Sequence, residues 1–339
     1  MRIVVDAMGS DDHPQPEIDA VIQAAEQWSE PILLVGQKEL LQPMLDARKI
    51  PTELVEVVHA PEVLEMTDKP ASAARGKSTN SMAIGMDLLK SGEADAFVTA
   101  GNTGGAMANA LFRIGRIRGV KRPAVTGGIP VQGGFAVVLD IGANADCKPE
   151  YLYQFAIMGV VYAEKVFGIE KPRVALLSNG EEPGKGNMLV KETFPILEAS
   201  DLNFIGNVEP KEVYRGEADV IVSDGFSGNV FIKTSEAVAS FLITTIRSEI
   251  KQSPISSIGG LLAKPAFSRV GKKLDSSEYG AALLLGVDAL IFIGHGRSDK
   301  KAMFNAIRMA RQAVQNDVLD AVRRAIQSRL DVMQNKEKE

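Results

Sequence analysis

Short apolar runs rich in β-branched residues alternate along most of the chain with segments whose apolar residues recur at helical spacing. Buried parallel strands joined by crossover helices have this pattern, because both faces of their sheet are covered. The sequence therefore predicts an α/β fold with a mostly parallel sheet that is covered on both faces. The predicted strands span residues 3–6, 32–36, 54–58, 96–99, 136–140, 173–177, 219–223 and 290–293.

Helical spacing predicts helices over residues 17–27, 81–90, 151–167 and 230–249. A long helix, broken at most once, is predicted over residues 301–330. No internal repeat, low-complexity segment or long linker divides the chain. We therefore treat residues 1–339 as one catalytic unit, and we leave open its division into two lobes.

One segment, residues 253–274, differs in composition from the rest. It places Leu261 and Leu262 among basic residues such as Lys264. Pro265 is expected to interrupt any single helix here, because proline removes a helical hydrogen bond. A basic amphipathic element of this kind lies on an anionic membrane or covers a hydrophobic groove as a lid. The alternative is a pair of short surface helices with solvated lysines.

The composition argues against several classes of protein. An apolar share of 45% in 339 residues is enough for a sizeable core, so disorder is not expected. A net charge of −5 and 6% aromatic residues argue against a nucleic-acid binder. Cys147 is the only cysteine, which leaves no internal disulfide or cysteine-based metal cluster. With no visible secretory signal and no uncharged apolar stretch near ~18 residues, we expect a cytoplasmic protein.

Nearly every predicted strand ends in a polar turn that contains glycine. These turns are DAMGSDD, TAGNTGG, DIGANADC, SNGEEPGKGN, SDGFSGN and GHGRSD, which begin at residues 6, 99, 140, 178, 223 and 294. The carboxyl ends of parallel strands lie at one edge of a sheet, where open α/β folds bind ligands. Glycine lets backbone amides approach a ligand, and a following helix N-terminus adds unpaired donors. The turns therefore predict one crevice that binds an oxyanion such as phosphate.

Two turns contain the sharpest candidates for anion binding. Gly101, Asn102, Thr103 and Gly104 precede a helix, although asparagine and threonine also serve as helix caps. Lys185 offers a positive charge from a glycine-rich loop, but this loop lacks the spacing and the hydroxyl residue of a P-loop. No GxGxxG turn opens a helix after a strand, so a dinucleotide site is not predicted.

Titratable residues near the turns have both chemical and structural interpretations. His295 lies between two glycines at a strand end, where a histidine suits acid–base chemistry or phosphate contact. Cys147 is a candidate nucleophile, but a small buried side chain is the preferred interpretation because no adjacent base is evident. Asp6, Asp140 and Asp224 end strands, where a carboxylate either ties loops together or orients a cation. The three histidines show no metal-ligand spacing, so no metal is predicted.

Taken in order, six stretches resemble the bacterial phosphate acyltransferases of phospholipid synthesis. They are VVDAMGSDDHP, TAGNTGGAMA, LDIGANADCKPEYLYQFAIMG, LLSNGEEPGKGN, DVIVSDGFSGNVFIK and EYGAALLLGVDALIFIGHGRSD, and they run from residue 4 to residue 299. Ser10 stands where that family usually has a second glycine, and Ala281 and Leu283 stand where a Gly-Ala-Pro turn is usual. Such enzymes form acyl phosphate from acyl-acyl carrier protein and inorganic phosphate.

The resemblance implies a three-layer α/β/α fold with a mostly parallel sheet, similar to that of isopropylmalate dehydrogenases and phosphotransacetylases. It further implies a homodimer and peripheral association with the membrane. It also implies that the acyl phosphate passes to a membrane glycerol-phosphate acyltransferase. Residues 253–274 then become a predicted lid or membrane-contact helix. A basic cluster is a candidate docking patch for the acidic carrier protein, with solvated surface as the alternative. It consists of Arg113, Arg116, Arg118, Lys121 and Arg122.

The reaction requires neither a cofactor nor a metal, because phosphate is already an oxygen nucleophile and a thiolate is a fair leaving group. The enzyme must position phosphate and stabilise a tetrahedral oxyanion. The residues predicted to hold phosphate are Asn102, Thr103, Gly104 and Lys185. His295 is predicted to orient it or to protonate the leaving sulfur. The remaining predicted site residues are the catalytic candidate Asn229 and the binding candidates Asp6, Gly101, Asn144, Asn187, Asp224, Lys233 and Ser298.

Other functions stay open at this point. A phosphotransacetylase would use a coenzyme A thioester on the same scaffold. A metal-dependent decarboxylating dehydrogenase would need clustered aspartates, which the sequence does not bring together. A non-catalytic dimeric scaffold that recruits acyl carrier protein to membranes is the alternative outside enzymes.

Overall fold

The structure, a computed structural model, describes residues 1–70, 74, 76–274, 277 and 280–336. Its strands are β1 (Ile3–Asp6), β2 (Ile32–Gly36), β3 (Val55–His59), β4 (Ala96–Thr99), β5 (Ala124–Val125), β6 (Gly127–Val131), β7 (Gly134–Leu139), β8 (Val174–Leu177), β9 (Phe204–Val208), β10 (Val220–Val222), β11 (Ala282–Leu285) and β12 (Leu290–Ile293). Its helices are α1 (Gln15–Trp28), α2 (Lys38–Ala47), α3 (Ser81–Lys90), α4 (Thr103–Arg113), α5 (Pro149–Phe167), α6 (Met188–Glu198), α7 (Pro210–Arg215), α8 (Gly225–Lys251), α9 (Pro254–Leu274), α10 (Lys300–Gln315) and α11 (Val318–Lys336).

The strands form two sheets. The seven-stranded sheet has the order β3-β2-β1-β4-β12-β11-β5, and the five-stranded sheet has the order β6-β7-β10-β8-β9. In the first, β11 is antiparallel to β12 and β5, and the other pairs are parallel. In the second, β6 is antiparallel to β7, and the other pairs are parallel. The α/β class and the mostly parallel pairing are confirmed, with the parallel strands divided between two sheets.

Thr126 lies where the chain passes from the first sheet to the second, between β5 and β6. Its amide donates a hydrogen bond to the carbonyl of Leu283 at 3.0 Å, and its hydroxyl accepts one from the amide of Leu283 at 2.9 Å. Leu283 belongs to β11 of the first sheet. The two bonds therefore anchor the start of the second sheet to the first.

The main apolar core runs through both sheets. Val5 of β1 and Leu139 of β7 are fully buried and belong to the same cluster. Helix α5 packs on β7 and β10, and α10 packs on β4 and β12. A Cβ atom on Gly159 of α5 would lie 2.7 Å from Cγ1 of Val220, so this glycine lets the helix approach β10 closely. The two sheets are thus joined by packing as well as by the chain.

The predicted strands all exist, with ends shifted by at most two residues, but β5, β6, β9 and β11 were not predicted. Strand β6 has the sequence GGIPV, in which glycine and proline indicate a turn. Because β6 is an edge strand, its proline does not remove a bond that the sheet requires. The long helix predicted over residues 301–330 is broken once, between α10 and α11.

The prediction that Pro265 interrupts residues 253–274 was wrong, because α9 is one helix with this proline inside it. Proline at this position takes a helical donor away from the carbonyl of Leu261. The side chain of Leu261 is 70% exposed, so water reaches this part of the helix and can bind the carbonyl. Helices α8 and α9 pack against each other as consecutive helices. Among the described residues, no helix is both long and apolar enough to cross a membrane.

Candidate active site

The turns after β1, β4 and β12 meet, because these strands are neighbours in the first sheet. The carboxylate of Asp6 accepts a hydrogen bond from the hydroxyl of Thr99 at 2.7 Å, which joins the first turn to the second. The amide of Asp11 donates to the carbonyl of Gly296 at 2.7 Å, which joins the first turn to the third. Three of the predicted ligand-binding turns therefore lie in direct contact.

Asp6 is buried inside this group of turns. Burial raises the pKa of its carboxyl, and hydrogen bonds from Ser81, Thr99 and the amide of Met8 act in the opposite direction. Both carboxylate oxygens are used, one by the amide of Met8 and one by Thr99. The structure places Asp6 as a tie between loops beneath the turns.

Asn102 is the N-cap of α4, and its side chain is used within the protein. Its Oδ1 accepts from the amide of Gly105 at 3.0 Å, and its Nδ2 donates to the carbonyl of Met66 at 3.0 Å. A Cβ atom on Gly9 would lie 2.7 Å from the amide nitrogen of Gly101, so the turns after β1 and β4 touch through their backbones. Gly101 and Asn102 therefore shape the turn after β4.

Thr103 and Gly104 form the first turn of α4. The side chain of Thr103 is exposed, whereas Gly104 lies under Pro70, whose Cγ would be 2.6 Å from a Cβ at position 104. The helix N-terminus and the Thr103 hydroxyl are thus the groups of this turn that can donate to a ligand.

Asp140 organises the turn after β7 in the second sheet. Its buried carboxylate accepts hydrogen bonds of 2.7 to 3.1 Å from the amides of Val125, Gly142, Ala143 and Asn144. The side-chain amide of Asn144 also donates to it, at 3.0 Å. Burial raises the pKa of Asp140, and these donors partly offset the effect. Since Val125 belongs to β5, Asp140 connects this turn to the first sheet.

The first turns of α8 rest on the turn after β7. Asp224 caps the helix, because its carboxylate accepts from the amide of Ser227 at 2.8 Å and from its hydroxyl at 2.8 Å. The side-chain amide of Asn229 donates to the carbonyl of Ile141 at 2.6 Å. The predicted residues Asp224 and Asn229 are thereby brought beside Asn144, whose carbonyl accepts from the first amide of α8 at 2.8 Å.

Two lysines lie along the same edge of the second sheet. Lys185 is exposed in the turn after β8, the strand that pairs with β10, and Lys233 is exposed on α8. Within the described residues, neither ammonium group forms an ion pair. Asn187 follows Lys185 and caps α6, with its Oδ1 accepting from the amide of Val190 at 3.0 Å. Both lysines are therefore available to an anion.

His295 connects the first sheet to α8. Its Nε2 lies 3.8 Å from one carboxylate oxygen of Glu236, and Nη2 of Arg297 lies 3.7 Å from the other. Asn229, Lys233 and Glu236 are spaced by one helical turn, so they share one face of α8. Ser298 is buried, and its amide donates to the carbonyl of His295 at 2.9 Å. The turn after β12 therefore lies against this face of α8, at an open surface where the first sheet meets the helix that follows β10.

Cys147 is not placed as a nucleophile. The thiol is half-buried and donates to the carbonyl of Asn144 at 3.6 Å. Burial raises the pKa of this thiol to about 12, and the negative charge of Asp140 adds to the effect. The thiolate, which is the nucleophilic form, is therefore scarce at neutral pH.

Among the described residues, one group of carboxylates has the spacing of metal ligands. It consists of Glu181, Glu209 and Glu212. The ammonium of Lys211 lies 2.9 to 3.3 Å from all three of them. The ammonium of Lys211 is thus bound by all three carboxylates, and the structure gives no reason to place a metal there.

Two residues near the turns were missed by sequence reasoning. Glu236 lies in the middle of a helical pattern, where an acidic residue ordinarily indicates a solvated face. Glu17 lies under the turn after β1 and is 0% exposed. A signal for Glu17 was present, since it shares the apolar face of α1 with Val21 and Ala24, where a carboxylate is unusual.

The chain matches known proteins over nearly its whole length. The family model described as "Fatty acid synthesis protein" matches residues 1–321. A phosphate acyltransferase of Pelotomaculum thermopropionicum is 46% identical over 328 residues, 97% of this chain and 96% of that protein. One of Dictyoglomus turgidum is 48% identical over 320 residues, 94% of this chain and 95% of that protein.

Solved structures support the fold. A phosphotransacetylase from Streptococcus pyogenes has a TM-score of 0.58 at 17% identity, covering 93% of this chain and 94% of that one. The EutD phosphotransacetylase from Staphylococcus aureus has a TM-score of 0.56 at the same identity and coverage.

The fold with its strand-end turns and the sequence matches define an acyltransferase on a phosphotransacetylase-like α/β scaffold. The chain belongs to the phosphate acyltransferase family of fatty acid synthesis proteins. Its activity is accordingly the transfer of an acyl group to phosphate.

Proposed function

We propose that the acyl donor is a fatty acyl thioester of acyl carrier protein, and that the acyl phosphate formed supplies membrane phospholipid synthesis. The phosphate and oxyanion chemistry of this proposal rests on the contact between Glu236 and His295, because it puts His295 beside the face of α8 that carries Asn229 and Lys233. A histidine, an amide and an unpaired ammonium are suited to phosphate and to the oxyanion of acyl transfer.

In the proposed reaction, a phosphate oxygen attacks the thioester carbonyl and forms a tetrahedral oxyanion. Collapse of this intermediate breaks the carbon–sulfur bond and releases the thiolate, which takes up the proton that hydrogen phosphate has lost. His295 is proposed to carry this proton from phosphate to sulfur. Lys185, Lys233 and the amides of the strand-end turns hold the phosphate, and no enzyme-linked intermediate is needed.

Exposed apolar residues near the turns favour a long fatty acyl chain as the group that is transferred. Met188, which follows the cap Asn187, is 74% exposed, and Phe226, which follows the cap of α8 by two positions, is 67% exposed. They lie at the N-termini of α6 and α8, the helices that follow the paired strands β8 and β10. We propose that they contact the first part of the fatty acyl chain, which an acetyl group would be too short to use.

A direct assay separates the candidate functions. Purified protein is incubated with phosphate and either palmitoyl-acyl carrier protein or acetyl coenzyme A, and acyl phosphate is measured as its hydroxamate. The proposal predicts product from the carrier-protein thioester with at least about a tenfold higher kcat/KM. Preference for acetyl coenzyme A would support a phosphotransacetylase, and no product from either donor would support the scaffold function.

We propose that the carrier protein docks on the basic cluster at the end of α4 and the following loop. Arg116, Arg118, Lys121 and Arg122 are exposed there, whereas Arg113 is paired with Asp87. Charge reversal in Arg118→Glu should raise the KM for the acidic carrier-protein thioester several-fold and leave the KM for phosphate unchanged.

Helix α9 is proposed as the membrane-contact element or lid. Leu262 and Ile255 are 78% and 84% exposed, and basic residues such as Lys264 and Arg269 lie on the same helix. Exposed apolar side chains beside positive charges suit the surface of an anionic bilayer. The protein would then be cytoplasmic with peripheral attachment to the inner face of the membrane, near the glycerol-phosphate acyltransferase that takes its product.

We also propose a homodimer. Helix α8 exposes Phe241 at 67% and Leu242 at 51%, which a second copy of the chain could cover. Light scattering after gel filtration would report the mass, and a monomer at micromolar concentration would contradict the proposal.

A further inference from the structure

A carboxylate is buried beneath the turn after β1. Glu17, in the first turn of α1, accepts a hydrogen bond at its Oε1 from the amide of Ser10 at 3.0 Å. Within the described residues, its Oε2 and the buried hydroxyl of Ser10 have no hydrogen-bond partner, and Glu17 has no ion pair. Burying a carboxylate without a cation destabilises a protein. A carboxylate that is buried in this way near a ligand site is therefore a candidate for a functional role.

The segment that Glu17 holds is the point where three strand-end turns meet. On one side of Ser10, Gly9 touches the backbone of Gly101 in the turn after β4. On the other side, Asp11 donates to Gly296, the neighbour of His295 in the turn after β12. The amide of Ser10 lies between these two contacts, so holding it in place constrains both of them.

The local bonds around Ser10 make it the centre of the turn. Its carbonyl accepts from Nδ1 of His13 at 2.6 Å, and the amide of Met8 is held by Asp6 at 3.0 Å. Asp6 and Glu17 thus hold alternate amides of the turn from the inside of the protein. Asp6 is a strand residue, whereas Glu17 belongs to α1 and couples the turn to that helix.

We propose that Glu17 is a positioning residue for acyl transfer to phosphate, which acts by holding the amide of Ser10 and so setting the turn after β1 against the turns after β4 and β12. Glu17 does not touch the substrate. This role rests on the proposed function, because the phosphate is proposed to lie beside His295, which belongs to the turn after β12.

The positioning role and a simple structural role predict opposite results for one substitution. Glu17→Met fills the space but removes both the buried carboxylate and the acceptor for Ser10. A residue kept for stability would lower the unfolding temperature when it is lost. A residue kept for positioning should leave that temperature unchanged or raise it, since the buried charge is gone, and should weaken phosphate binding.

The test compares Glu17→Met with Glu17→Gln, which keeps a carbonyl acceptor, and with Glu26→Met, an exposed position on the same helix. We expect Glu17→Met to raise the KM for phosphate at least about fivefold with kcat within about twofold. Glu17→Gln should restore the KM to within about twofold, and Glu26→Met should match the wild type. A wild-type KM in Glu17→Met, or an equal defect in Glu17→Gln, would overturn the proposal.

A second measurement does not depend on the variant folding. In the wild-type protein, the bond to Glu17 predicts slow hydrogen exchange at the amide of Ser10 and further slowing with phosphate. Fast exchange at this amide contradicts the proposal by itself. Wild-type protein that forms no acyl phosphate would instead refute the proposed function, so the two failures are distinguishable.

Discussion

Asp140 accepts a hydrogen bond from the amide of Val125, and this bond connects the ligand-binding turn of one sheet to a strand of the other. The same carboxylate holds three further amides of its own turn. The geometry of the site therefore depends on one buried side chain that need not touch the substrate.

Asp140→Asn should destabilise the protein, because an amide group cannot accept from all the donors that now face the carboxylate. Loss of several bonds to a buried charged acceptor should cost about 3 kcal/mol in the free energy of unfolding. Urea titration followed by circular dichroism would measure it. Asp146→Asn, on an exposed position of the same turn, is the control and should change the value little.

His295→Ala should reduce kcat for acyl phosphate formation by about 10²- to 10⁴-fold, since it removes the proposed proton carrier. His59→Ala is the matched control, because His59 is an exposed histidine that lies beside Glu39 at the end of β3, the edge strand of the first sheet. Equal activity in the two variants would remove His295 from the catalytic group.

Lys233→Ala should raise the KM for phosphate by about tenfold, because it removes an unpaired charge next to the proposed phosphate position. Lys251→Ala, an exposed lysine at the other end of α8, should not change it. Initial rates at varied phosphate and saturating thioester would give the KM for phosphate of both variants. Equal KM values in the two variants would mean that phosphate binds away from Lys233.

Leu261→Glu should weaken binding to anionic lipid vesicles, because it puts a charge into the exposed apolar surface of α9. Co-sedimentation with phosphatidylglycerol vesicles would measure the bound fraction. Leu40→Glu changes an exposed leucine on α2 and is the control. If both variants bind as the wild type does, α9 is not the membrane contact.

Glu17 should make stability depend on pH. Burial raises the pKa of its carboxyl to about 6 in the folded protein from the usual 4.5, and the hydrogen bond from the amide of Ser10 offsets part of this rise. The stabilisation from the bound proton is complete below pH 4.5 and is lost as the pH rises through 6, by about 2 kcal/mol.

Glu17→Gln has no such proton to lose. Thermal unfolding at pH 5 and at pH 7.5 should show the variant gaining stability relative to the wild type as the pH rises. A constant difference between the two proteins would mean that Glu17 titrates normally.

Much of the fold followed from hydrophobic periodicity, because buried parallel strands and crossover helices give long, regular signals. The division into two sheets could not be predicted from periodicity, since it depends on β5 and β6, which are short or contain glycine and proline. Pro265 indicated a helix break. The helix continues through it, because water can bind the exposed carbonyl that proline leaves without a helical donor.

The strand-end turns were recognisable because glycine, asparagine and aspartate recur where strands end. Whether each side chain caps a helix or contacts a ligand was not recognisable, since both roles require the same residue types. Asn102, Asn187 and Asp224 all cap helices here. Glu236 reaches His295 only through tertiary packing, and an acidic residue in a helix gives no local sign of that contact.

The order of strands in the first sheet has a consequence for synthesis of the protein. Strand β4 pairs with β12, so Ala96 finds its partner Leu290 about 190 residues later in the chain. At a translation rate of about 5–20 residues per second, the open edge of β4 waits on the order of ten to forty seconds for that partner. During this interval the ribosome carries an incomplete sheet with an apolar edge, which is a surface that chaperones bind.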